Sequence, residues 1–228
     1  MKNATALLFT LNFLIPGCTN TSLKKDDCSI SINGVLFSKS INNGAKMTNQ
    51  VTENKVVINS GPKSDFFNEP DGKQNYSNAP MLLSLINNKE PFTFVAKVSP
   101  AFSETYDAGA VYMYVNNNNW LKFAFELDEK KLARIVTVRT NGTSDDNNHD
   151  VIGDKSVYLK VSSNTESIGF YYSKDSINWQ LVRVYKNDFP NSPFIGISSQ
   201  SPLGSGISTT FESIVLTNKS VKDFRMGE

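Results

Sequence analysis

Between Trp120 and Asp128 the chain sets an aromatic ring, a cation and carboxylates at alternate positions. Successive side chains of an extended strand point to opposite faces. Trp120, Lys122, Ala124, Glu126 and Asp128 therefore share one face, while Leu121, Phe123, Phe125 and Leu127 share the other and point into a core. An indole beside a lysine and carboxylates suits a sugar. The ring stacks on the apolar C–H face, and the charged groups hydrogen-bond the hydroxyls. Tyr112 and Tyr114, Thr137 and Arg139, and Arg183 lie on neighbouring candidate strands and are expected to converge on that face. The expected site for an oligosaccharide or polysaccharide is thus built around Trp120, Lys122, Glu126 and Arg139. The plainer reading of the same pattern is a solvated outer face with Lys122 and Glu126 in water, packing tyrosines and surface arginine pairs.

Two carboxylates raise the alternative of glycan cleavage or modification. Retaining glycosidases hold theirs ~5–5.5 Å apart and inverting ones ~6.5–9.5 Å. Positions i and i+2 of a strand are roughly 6.5–7 Å apart, so Glu126 and Asp128 are the candidate pair. A jelly-roll glucanase pattern would continue as Glu-x-Asp-x-Glu, but here Glu129-Lys130 follows and the third acid is out of register. Binding without catalysis is the reading that follows; a further alternative is a structural or regulatory sandwich that binds another protein, whose face should instead be broadly apolar. The single histidine, His149, excludes a multi-histidine zinc site, and its polar surroundings argue against a Ser-His-Asp triad. No glycine-rich phosphate loop follows a strand. The run Ser144–Asp150 gathers hard oxygen donors, with Asp145, Asp146 and Asp150 as candidate calcium ligands. It lacks the spacing of a defined calcium motif, so it reads as a solvated polar loop, and no cofactor is expected.

The chain's 228 residues suffice for one large all-β domain. Hydrophobic residues make up 39% and charged residues 20%, a globular composition. With 23 basic and 22 acidic residues there is no basic stripe, so nucleic acid is not an expected partner. At the start, Lys2 precedes the apolar run Ala6–Ile15 and then Pro16-Gly17-Cys18. This is an export signal too short to span a bilayer, which needs about 20 residues. Cys18 after Gly17 resembles a bacterial lipobox, in which the cysteine is lipidated; Ile15 stands where leucine is usual. The expected placement is the bacterial cell envelope, with membrane contact through the lipid alone. Residues 18–29 read as a polar tether, and Cys28 remains as a free thiol.

From about Val35 the chain reads as short strands separated by Asn, Gly, Asp and Pro. Phe92, Phe94, Ala96 and Val98 alternate with polar residues, as do Val157, Leu159 and Val161. Other candidates are Lys55–Asn59, Met81–Ile86, Gly109–Val115, Trp120–Leu127, Ile135–Thr140, Ser167–Ser173, Trp179–Val184, Phe194–Ser199 and Thr209–Leu216. Asn116 to Asn119 reads as a hairpin turn. Many short strands and no helical stripe predict an antiparallel two-sheet jelly roll over residues 30–218, with a tail at 219–228.

Several stretches, in order, resemble the concanavalin A-like domain family named after a yeast protein called regulation of enolase, a family of unknown function. They are Lys63–Phe67, Tyr106–Ala110, Asn119–Glu126, Val136–Arg139 through Ser144-Asp145, Tyr172–Asp175 with Trp179 and Arg183, and Ile195–Gly204 with Phe211-Glu212. The resemblance implies a two-sheet lectin-like jelly roll, related to domains that end some β-xylosidases as accessory modules. It implies no catalytic mechanism. This chain has Phe67 and Asp146 at two positions where the family usually has tryptophan.

Overall fold

The computed structural model describes residues 23–228, so the expected export signal and Cys18 lie outside the described residues. The first strands are β1 (Asp26–Ile32), β2 (Val35–Ile41), β3 (Thr48–Thr52), β4 (Lys55–Asn59), β5 (Phe66–Asn68) and β6 (Asn75–Ser77). Next come β7 (Met81–Leu85), β8 (Phe92–Pro100), β9 (Ala108–Asn116), β10 (Asn119–Leu127), β11 (Ala133–Asn141) and β12 (Thr143–Val151). The last are β13 (Val157–Ser163), β14 (Ser167–Ser173), β15 (Gln180–Lys186), β16 (Phe194–Gln200) and β17 (Ser208–Thr217). No helix is present among the described residues.

The larger sheet has 8 strands in the order β1-β2-β7-β16-β9-β10-β11-β12, and the second has 7, ordered β15-β14-β13-β8-β17-β4-β3. Strands β5 and β6 form a separate hairpin. The fold is the expected antiparallel jelly-roll sandwich. Its inner core takes one face of each sheet: Leu121, Phe123 and Phe125 from β10 meet Phe94, Phe170 and Phe211 from the opposite sheet. Phe123 stacks on Phe170 with ring centroids 4.7 Å apart. Burial alternates strictly along β8, as its period-two pattern requires.

Strand β10 behaves differently, being buried on both faces from Trp120 to Phe125. A second apolar cluster explains this. Phe66 of the β5–β6 hairpin lies on the outer face of the larger sheet, against Tyr112, Tyr114 and Trp120. Leu23 packs against the same cluster, and Lys25 Nζ lies 5.6 Å from the centroids of the Tyr114 and Phe194 rings.

Two stretches depart from the sequence expectation. The last residues of the expected tether, 26–29, open the edge strand β1 (Asp26–Ile32), which is turned into β2 by Asn33 and Gly34 at φ 48° and 80°. Both positive angles fit a two-residue hairpin of the Asn-Gly kind. The polar run expected as a loop, Ser144–Asp150, lies within edge strand β12. At the other end the tail returns onto the smaller sheet, where Lys160 Nζ donates to Gly227 O and Tyr171 OH to Phe224 O.

Candidate functional site

Beside the hairpin, the outer face of the larger sheet opens into a cleft of about 540 Å³. Its floor follows from strand register. Lys122 pairs with Val138 and Val138 with Asp146, while Val136 pairs with Asn148, so these side chains share one face with Glu126. One wall is the hairpin, through Asp65, Phe67, Glu69 and Tyr76; Tyr106, Glu129, Pro202 and Leu203 complete the rim. The hairpin is anchored by Asn68, whose N–H donates to Ser144 Oγ and whose Nδ2 donates to Gly142 O.

Lys122 ties floor to wall. It is 3% exposed, and its Nζ donates to Phe66 O at 3.0 Å and to Gln200 Oε1 at 3.3 Å. Asp65 Oδ1 stands 3.8 Å from the same nitrogen, and Gln200 Nε2 donates to Tyr112 OH. Burial raises the Asp65 carboxyl, against the opposing pull of the Lys122 charge. Glu126 is half-buried, and its carboxyl makes no hydrogen bond or ion pair among the described residues. Burial pushes it up to about 8; Lys122 opposes the shift, and Asp65, Asp146 and Asp128 add to it. A glutamate in this state keeps its proton at neutral pH and can donate a hydrogen bond through its O–H while its carbonyl oxygen still accepts one.

Tyr106 enters the rim from a strained turn. Its φ of 67° lies in the left-handed region, uncommon for a bulky residue. Two contacts hold it there: its N–H donates to Leu127 O at 2.7 Å, and Asp107 Oδ2 accepts the N–H groups of Ser103 and Glu104. The Tyr106 ring remains 39% exposed. Its hydroxyl is raised by burial and then by Glu129, Glu126, Asp146 and Asp128.

The sequence-predicted residues separate into groups. Lys122 and Glu126 meet in the cleft. Trp120, Tyr112 and Tyr114 point to the same outer face but are fully buried under Phe66, and Trp120 Nε1 donates to Asn117 O. The hairpin covers the indole expected as an exposed stacking platform. Thr137 and Arg139 point the opposite way, into the gap between the sheets, because they alternate with the floor residues Val136 and Val138. Arg183 belongs to the other sheet and lies 3.5 Å from Thr137 Oγ1 and 3.6 Å from Asp145. His149 Nε2 is 3.0 Å from Thr137 Oγ1, and Arg139 pairs with Asp188. These groups form a polar seam at the sandwich edge and do not join Lys122 and Glu126.

Asp128 also leaves the expected pair. Its carboxylate accepts the N–H groups of Lys130 and Leu132 and the Nε–H of Arg134, closing the β10–β11 turn. The three aspartates considered for calcium diverge, Asp145 and Asp146 by strand alternation and Asp150 beyond the register shift between Asn148 and Val151. Asp145 faces Arg183, Asp146 faces the cleft, and Asp150 accepts the Tyr172 hydroxyl. Among the described residues no cluster of three metal-ligating side chains occurs.

Asp65, Phe67, Tyr76, Tyr106 and Asn148 are site residues that alternation did not reveal. A signal did exist for three of them: Asp65 and Phe67 lie in Lys63–Phe67, and Tyr106 opens Tyr106–Ala110, both resemblance segments. Phe67 and Asp146, which stand where the resemblance leads one to expect tryptophan, also line the cleft.

No curated protein matches the chain in sequence. Solved structures share its fold. A functionally unknown protein from Saccharomyces cerevisiae is 24% identical with a TM-score of 0.70, covering 77% of this chain and 94% of that one. A xylan β-1,4-xylosidase from Bacillus halodurans is 14% identical with a TM-score of 0.58. A GH43 protein from Bacillus licheniformis is 15% identical with a TM-score of 0.56. Each covers 72% of this chain, which spans only 32% and 33% of their respective lengths. A family model matches residues 41–219, and the chain belongs to that family, described as protein of unknown function (DUF1349).

Proposed function

We propose that this protein is a noncatalytic glycan-recognition domain, exported and held at a bacterial cell envelope by a lipid on Cys18. The observation that carries the reading is the cleft itself. It sets the rings of Phe67, Tyr76 and Tyr106 around a floor with Lys122 and Glu126, and its size suits a few sugar units. Sugar binding needs an aromatic plane for the C–H face and polar groups for the hydroxyls, and both are present here. The fold shared with parts of a xylosidase and of a GH43 protein supports this reading. The site differs from the face centred on Trp120: its aromatic contacts come from the hairpin and the Tyr106 turn, and Arg139 takes no part.

One observation favours a second reading. A carboxyl raised to about 8, beside Asp65 and Asp146, has the form of a general acid next to a second carboxylate. A glycan array with the purified protein, followed by product analysis, separates the two. Recognition predicts binding that Phe67→Ala and Tyr106→Ala abolish, with the glycan left intact. Shortened glycan released by the wild type but not by Glu126→Gln transfers the conclusion to hydrolysis. Absence of both binding and cleavage defeats both readings. The anchor is tested apart: fatty-acid label should enter the full chain and not Cys18→Ser, and equal labelling would refute lipidation.

A further inference from the structure

The charges around the cleft do not balance. Lys122 is engaged by Asp65 and Phe66 O of the wall and by Gln200 of β16, and the ammonium of Lys63 donates to Leu203 O. Glu129 and Asp146 also line the cleft as carboxylates, with the protonated carboxyl of Glu126, and none of the three makes an ion pair or hydrogen bond among the described residues. They come from β10, the following turn and β12, so the fold gathers them from three separate segments. All three act on the Tyr106 hydroxyl, which places it within the field of each.

The aromatic residues point to the same chemistry. Phe67, Tyr76 and Tyr106 line this space, and the face of such a ring carries a negative quadrupole that attracts a cation. Rings and carboxylates together favour a ligand with a positive group. A uronic acid would meet repulsion here, and a neutral sugar would leave the excess charge uncompensated.

We infer that the cleft selects a saccharide bearing a protonated amino group, a de-N-acetylated amino-sugar oligomer, with its ammonium beside Glu126 and Asp146. The inference rests on the glycan reading above and names its substrate class. The ammonium replaces the missing counter-charge while the rings take the sugar's C–H face. Bringing a cation beside Glu126 favours its ionised form, so binding near neutral pH releases a proton from that carboxyl.

Calorimetry on the purified protein tests this with four probes: glucosamine tetramer, N-acetylglucosamine tetramer, galacturonic acid tetramer and a lysine tetrapeptide. The glucosamine tetramer should bind at least about tenfold tighter than its N-acetylated counterpart, an advantage that shrinks with salt. Its binding enthalpy should vary with the ionisation enthalpy of the buffer, and Glu126→Gln should change the number of protons exchanged by removing the carboxyl's share, leaving only those taken up by the sugar's amino groups. Asp146→Asn, an exchange on an exposed edge strand, should reduce the preference without unfolding risk. Equal or tighter binding of the N-acetylated or galacturonic tetramer overturns the inference and leaves glycan recognition standing. A lysine tetrapeptide bound as tightly as the glucosamine tetramer overturns the saccharide part and leaves a site for cations alone. No binding by any probe overturns both.

Discussion

The outer face of the larger sheet has two halves that meet along β10 and have opposite characters. Under the hairpin, Phe66, Tyr112, Tyr114 and Trp120 form a dry aromatic cluster; beyond it, Lys122, Glu126, Val136 and Val138 floor an open cleft. Trp120 and Lys122 are only two residues apart on β10 and point the same way. What separates them is the cover supplied by β5 and β6. Strand alternation settles which face a side chain takes, whereas exposure depends on a segment remote in sequence. Lys122 joins the halves, since the carbonyl it holds belongs to the residue that seals the dry side.

The largest effect should come from the sealed half. Phe66→Ala leaves a cavity among three aromatic rings and should cost about 3–5 kcal/mol in urea unfolding. Phe67→Ala, its neighbour in the cleft wall, should cost under about 1 kcal/mol while weakening ligand binding. Similar losses for the two would dissolve the distinction between the halves.

Lys122→Met comes next, at about 1–3 kcal/mol, because Phe66 O and Gln200 Oε1 lose their donor and Asp65 loses its counter-charge. Adding Asp65→Asn should restore part of that stability, and a strictly additive double mutant would show that the pair is uncoupled.

The pH dependence is smaller. Glu126 in the folded cleft keeps its proton up to about pH 8, whereas its ordinary value is 4.5. Between those limits the native state binds more protons than the unfolded one, so stability declines as pH rises through that window. Since the side chain is partly solvated, the decline should be about 1–2 kcal/mol. Glu126→Gln should flatten the profile, and an unchanged slope would mean that the carboxyl is not perturbed. Smallest of all, Asp146→Asn should stay within about 0.5 kcal/mol of wild type, its effect confined to ligand choice.

These contrasts show where the sequence is informative. Strands such as β4 and β8 declare themselves because one face packs into the inner core while the other is half-covered. β12 does not, since Ser144-Asp145-Asp146-Asn147-Asn148-His149-Asp150 is polar on both faces. As an edge strand it needs only one partner, and charged side chains there discourage further pairing. β5 and β6, three residues each, are too short for any period to show. Lys122 and Glu126 were legible as site residues because alternation alone places them. Trp120 was not, since its exposure depends on Phe66, more than fifty residues earlier.

The packing of Leu23 against the outer-face cluster sets a length scale for the whole molecule. Only five peptide units join it to Cys18, a span of at most about 18 Å even when fully stretched. With a lipid on that cysteine, the domain rides close to the headgroups. Its reach then extends to polymers lying on the membrane rather than those threading a distant wall.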